Sequence, residues 1–195
     1  MRTNKLKEAA NIVWSNEELR NQVFELAIGG LQRLNAFIKK PNSEKADTEN
    51  VFSNNNIEES LKYAEMFASI LGQTAFSDND FSEKEEDAAI DLINKCFFDK
   101  ENTVTKTNLS NTGSKKKEIK AKIFDRLKNP HSIKKISNYT IENELEEDFY
   151  ELACIIVTSD NTLNNEEKDF LNHFAERLKL SKYDIKPINN KYFNH

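Results

Sequence analysis

The sequence predicts an all-α fold, and three observations carry that prediction. Apolar residues recur at three- and four-residue spacing in one segment after another, with none of the strict alternation of a half-buried strand. Only 4 Gly and 3 Pro are spread over 195 residues, too few for the turns of a β-sandwich or barrel. A short turn pattern also occurs twice. Ser77-Asp78-Asn79-Asp80-Phe81-Ser82-Glu83-Lys84-Glu85 recurs as Ser159-Asp160-Asn161-Thr162-Leu163-Asn164-Asn165-Glu166-Glu167, with a constant offset of 82 residues. Both copies follow one apolar helical run and precede another, and a repeat at fixed spacing marks a duplicated unit. The expected architecture is a compact bundle of about seven to nine helices, containing two pseudo-repeated helix–acidic turn–helix units.

Residues 2–14 read as a short helix ending near Trp14. Ser15 with Glu18 reads as a capping box opening a long helix to about Lys40, with Leu19, Val23, Leu26, Gly30, Leu34 and Phe37 on its buried face. Phe24, Ile28 and Leu31 lie off that stripe, which implies cover on more than one side. Gly29-Gly30 implies a kink or a close helix crossing, since a glycine costs up to ~1 kcal/mol inside a helix. Residues 42–56 read as a polar linker, followed by a helix from Ile57 to about Phe76. Ser82 with Glu85 is a capping box for a helix to about Asp99, and 100–114 read as a loop. A basic amphipathic helix is expected over 115–128, stopped by Pro130, with a short helix around Ile133 and Ile136. One helix from about Thr140 to Thr158 should begin acidic and end in the core, and another should run from Asn165 to about Leu178. Ser181 reads as the cap of a final short turn before Pro187. The domain reading is a helical extension and polar linker over 1–55, a helical domain over 56–182 and a polar tail over 183–195.

Composition narrows the function. The net charge of −5 gives no global attraction to nucleic acid. No apolar run approaches the roughly 18 residues of a membrane span, and no leader pattern opens the chain, so a cytoplasmic location is expected. Cys96 and Cys154 sit in apolar helical stretches without a CxxC partner, which suits buried reduced thiols, with a redox pair as the alternative. The residues three before His131, His173 and His195 are Lys128, Phe170 and Tyr192, so the Glu-x-x-His pairs of a di-iron bundle are missing. Zinc-finger spacing, a P-loop and a nucleophile elbow are missing as well.

The repeated turn has a structural reading and a chemical one. Structurally, Glu85 and Glu167 occupy the third helical position of a capping box, Asp78 and Asp160 make turn bonds, and Asn79 and Asn161 tolerate a left-handed backbone. Chemically, Asp78, Asp80, Glu85, Asp160 and Glu167 offer only oxygen ligands, which suit Ca²⁺, Mg²⁺ or Mn²⁺ if the two turns face each other. An EF-hand is excluded, because the positions of its bidentate Glu hold Ala89 and Leu171.

The apolar helix, the Asp-(Gly or Asn)-x-(apolar)-(Ser, Thr or Asn)-x-x-Glu turn and the following amphipathic helix resemble the TerB-like family, named for tellurite resistance. That family typically writes the turn Ala-Asp-Gly, where this chain has Ser-Asp-Asn in both copies. The resemblance covers roughly residues 57–180. It implies a helical bundle of two pseudo-equivalent halves, acidic turns that take a divalent metal, and a non-enzymatic interaction or sensing role in bacterial stress response or defence. By motif match, Asp78 and Asp160 are the principal carboxylates, with Glu85 and Glu167 as helix-start partners. It also implies a protein partner, with peripheral association with a membrane complex; with a negative overall charge, neither nucleic acid nor a small-molecule substrate is expected. The alternatives are a metal-dependent hydrolase of phosphoesterase type and a purely structural helical adaptor. Finally, Lys115, Lys116, Lys117, Lys120, Lys122, Arg126 and Lys128 stand against Glu118 and Asp125. That segment reads as a solvated helix face, or as a surface for an acidic protein, anionic lipid or nucleic acid.

Overall fold

The computed structural model describes residues 16–38, 49–75, 83–99, 109, 113–157 and 165–193. All eight long elements within them are α-helices: α1 (Glu17–Ile38), α2 (Glu49–Ala75), α3 (Glu83–Phe97), α4 (Lys116–Lys128), α5 (Ile133–Glu142), α6 (Glu146–Val157), α7 (Asn165–Arg177) and α8 (Lys182–Phe193). A 3-10 turn over Gly113–Lys115 leads into α4. The all-α expectation holds, and no described helix is long and apolar enough to cross a membrane.

Helices α2 and α6 organise the rest. α2 packs against α1, α4, α5 and α6, while α6 packs against α1, α2, α5, α7 and α8. The run Leu152 to Val157 on α6 is buried on every side, as its nearly all-apolar sequence requires. Four rings tie α2, α3 and α6 together. Tyr63 meets Phe97 and Phe149 edge-on at 6.0 and 5.9 Å, and Phe67 meets Phe97 at 5.6 Å. Each such pair is worth roughly 0.5–1.5 kcal/mol beyond its buried area. Val23, Ala27, Leu31 and Leu34 of α1 belong to the same core cluster, so α1 is built into the bundle rather than appended to it.

The glycine pair on α1 resolves into two roles. The helix runs through both without a break, which favours the crossing over the kink. A Cβ on Gly30 would collide with the Tyr63 hydroxyl, which itself donates to the Ala27 carbonyl at 3.1 Å. Gly72 plays the same part elsewhere, since a Cβ there would come within 2.7 Å of the Leu127 carbonyl oxygen on α4.

Several boundaries differ from the sequence reading. The cap of α1 is Asn16 rather than Ser15, its Oδ1 accepting from the Glu18 N–H at 2.9 Å, so Glu18 is not the third residue of a capping box. Ala27, Ile28 and Leu31 are buried on α1, whereas Leu26 is only half-buried. α2 begins at Glu49, turning eight residues of the expected linker into helix, and residues 49–56 contain no Gly or Pro to stop it. The single helix expected from Thr140 is two helices. α5 ends in a Schellman turn, with Leu145 N–H bonding the Thr140 carbonyl at 3.0 Å and Glu144 left-handed at φ 56°. The expected polar tail is the helix α8, which carries Pro187 in its interior. Ser181 does cap it, accepting from Tyr183 N–H at 3.2 Å, and Ile185, Ile188 and Tyr192 pack on the core. Leu109, read as part of a loop, is fully buried. The helix expected over 2–14 lies outside the described residues.

Candidate functional site

The two helices before the repeated turns end at Ala75 and Val157, and those after them start at Glu83 and Asn165, each pair 82 residues apart. Glu85 and Glu167 are therefore both third in their helices, where a capping-box Glu belongs. Glu167 is fully buried. Asp78, Asp80 and Asp160 lie outside the described residues, as does the side chain of Glu85. The oxygen-only donor set suits a hard cation by its chemistry, but among the described residues no three acidic, Cys or His side chains are placed to hold one. Cys96 and Cys154 are buried and not joined in a disulfide, and burial raises both thiols, Cys154 to about 12, which disfavours the thiolate that a nucleophile needs. His173 is exposed and accepts a 3.4 Å hydrogen bond from Arg177.

A cleft of about 940 Å³ lies elsewhere, between α1, α6 and α8. Glu18, Gln22, Glu25, Gly29 and Arg33 on α1 follow at four- and three-residue steps and so share one face. Glu147, Asp148 and Glu151 form the α6 wall, and Ile188, Lys191 and Tyr192 the α8 wall. Leu26, Ile188 and Tyr192 make its floor partly apolar, and Gly29 leaves space, a Cβ there meeting only Arg33 Nη2 at 3.7 Å.

Two of the cleft carboxylates are engaged. Arg33 grips Asp148 with both arms, Nε to Oδ2 at 2.8 Å and Nη2 to Oδ1. Asp148 is 12% exposed, and burial raises its carboxyl above the usual range although the guanidinium pulls it down. Glu151 accepts from Lys191 Nζ and Tyr192 Oη, both at 2.7 Å, and so ties α8 to α6. The Glu151 hydrogen bond raises Lys191, and burial pushes Tyr192 up to about 12. Glu17, Glu18, Glu25 and Glu147 are exposed and have no ion-pair partner among the described residues. The oxygen Oε1 of Gln22, whose side chain lines the cleft, is buried without a hydrogen-bond donor among the described residues. A second groove of about 510 Å³ continues past the Arg33–Asp148 pair, with Glu144, Glu146 and Asp184 on its rim. Part of this acidity serves the helices themselves. Glu17 and Glu18 open α1, and Glu146, Glu147 and Asp148 open α6, where the macrodipole favours anions. Glu25, two turns into α1, has no such role.

The sequence reading did not single out this cleft. The four-three-four steps on α1 were visible, but they mark a site only once Ile188 and Tyr192 are known to lie opposite. Comparison with protein-family models, curated proteins and solved structures gave no match.

Proposed function

We propose that this chain is a non-enzymatic, TerB-like interaction module of a bacterial stress-response or defence pathway, and that the α1–α6–α8 cleft receives a cationic, partly apolar segment of a protein partner. The observation that carries the reading is the cleft itself. It offers four exposed carboxylates without an ion-pair partner among the described residues, beside a partly apolar floor, in one concave surface. Lysine or arginine side chains supply both the charge and the N–H donors that those groups lack. Complementary potential of this kind steers encounter and fixes register, while the apolar floor adds contact area.

The test uses a labelled lysine–leucine peptide read by fluorescence anisotropy. Glu18→Gln, Glu25→Gln and Glu147→Gln together keep side-chain shape, and their combined loss should weaken binding about tenfold, a difference of about 1.4 kcal/mol. Equal affinity for this variant and the parent would remove the cleft from the account.

A second reading concerns the repeated turns. A divalent cation, Ca²⁺, Mg²⁺ or Mn²⁺, held by Asp78, Asp80, Glu85, Asp160 and Glu167, would neutralise their mutual repulsion and fix the loops between the paired helices. The equal spacing of helix ends and the burial of Glu167 support a common construction for both turns.

A further inference from the structure

Lys115, Lys116 and Lys117 open α4 at the end of a helix that least tolerates cations. Lys115 is the N-cap, at φ −80° and ψ −12°, and its side chain makes no capping hydrogen bond. The macrodipole places partial positive charge at this end, so the ammonium groups are repelled, and lysine brings no acceptor for the free N–H groups. Lys115 and Lys117 point into solvent. Glu118 in the first turn and the Phe98 ring beneath Lys116 offset part of this cost, and the exposed Lys115 and Lys117 are left to serve something outside the fold. The rest of α4 adds to the charge, giving seven basic against two acidic residues over 115–128.

The same chain carries the complementary surface. α4 packs on α2 and makes no substantial contact with α1, α6 or α8 among the described residues, so the basic helix and the acidic cleft are built from different elements. We infer that the basic start of α4 docks into the acidic cleft of a second copy of this chain, head to tail. The inference rests on the reading of the cleft as a receptor for a cationic segment, and it names that segment. The lysine ammonium groups meet the exposed carboxylates of Glu17, Glu18, Glu25 and Glu147. Docked head to tail, the contact is heterologous, and each pair leaves one surface of each kind open for growth.

Sedimentation velocity of the full chain tests this. At low salt the weight-average mass should rise with concentration, and at about 0.5 M salt it should fall to that of the monomer, since exposed charges are then screened over a few ångströms. Lys115→Glu with Lys117→Glu should abolish association while raising the melting temperature, because glutamate suits that helix end. Glu25→Lys with Glu147→Lys should also be monomeric. Mixing the two variants should produce dimers and nothing larger, since one intact basic face meets one intact cleft. A parent chain that stays monomeric at low salt, or one whose association survives Lys115→Glu with Lys117→Glu, overturns the inference. If the monomeric parent still binds the lysine–leucine peptide, the cleft reading stands and only the self-pairing is lost. If the lysines instead prove necessary for binding phosphatidylserine vesicles, α4 faces a membrane and the inference is likewise wrong.

Discussion

Two adjacent glycines on α1 should respond to the same substitution with opposite sign. At Gly29 a Cβ would meet nothing nearer than Arg33 Nη2 at 3.7 Å, an ordinary contact. Alanine is better than glycine inside a helix by about 0.5–1 kcal/mol, so Gly29→Ala should stabilise by that amount. At Gly30 the added carbon would overlap the Tyr63 hydroxyl and sit 3.1 Å from its Cζ. Tyr63 is 1% exposed and wedged among Phe67, Phe97 and Phe149, so its ring has nowhere to swing. Overpacking of this kind costs about 1–3 kcal/mol, and displacing the hydroxyl from the Ala27 carbonyl about 0.5–1.5 more. Set against the propensity gain, Gly30→Ala should lose about 1–3 kcal/mol net. Urea denaturation followed by circular dichroism measures both variants. Tyr63→Phe alone should cost about 0.5–1.5 kcal/mol, and combined with Gly30→Ala it should cost less than the two separately, because the colliding atom is gone. Strict additivity in that cycle, or a Gly30→Ala variant as stable as Gly29→Ala, would refute the crossing geometry.

Three further outcomes follow from the same structure. Arg33→Ala leaves the nearly buried Asp148 carboxylate without its cation and should cost about 1–2 kcal/mol at neutral pH, discounted because Arg33 is itself half exposed. Burial already holds the folded-state pKa of Asp148 above its unfolded value, and losing Arg33 raises it further. The folded state therefore binds this proton more tightly, so the variant's deficit should shrink as pH falls through that raised value, and melting curves across the acid range check it. Glu144 and Lys179 hold left-handed backbone at φ 56° and 60°, so Glu144→Gly and Lys179→Gly should each gain about 0.5–1 kcal/mol, while alanine at either position should gain nothing. Chelator-stripped protein titrated with Ca²⁺, Mg²⁺, Mn²⁺ or Zn²⁺ should show a saturable rise with one hard cation, ~2.7 kcal/mol at 100-fold excess over Kd, lost in Asp78→Ala with Asp160→Ala. A flat response to all four metals leaves the turns as helix caps.

Helices whose apolar period ends at a recognisable cap or proline were legible in the sequence. α4 stops at Lys128 before Pro130, and α3 and α7 begin one residue after Ser82 and Asn164. The errors came where one local signal was weighed against tertiary packing. Pro187 reads as a stop, yet Ile185, Ile188 and Tyr192 keep their period across it and dock on the core. The α5–α6 break carries no glycine, because Glu144 takes the left-handed position itself and Leu145 is buried behind it. Ala27 was not among the positions assigned to the buried face, although it is fully buried and its carbonyl accepts from the Tyr63 hydroxyl of α2. The cleft was illegible for a different reason. Its walls come from α1 and, more than 100 residues further along the chain, α6 and α8, and no spacing within one segment announces that Arg33 will meet Asp148.

The most direct test of the cleft is a map of where a cation-bearing segment binds. Isotope-labelled protein titrated with the lysine–leucine peptide should show amide shifts concentrated on α1, α6 and α8, around Glu25, Glu147 and Tyr192. Shifts centred on other helices, or none at concentrations where the peptide binds, would contradict the assignment of the cleft as the partner-binding surface.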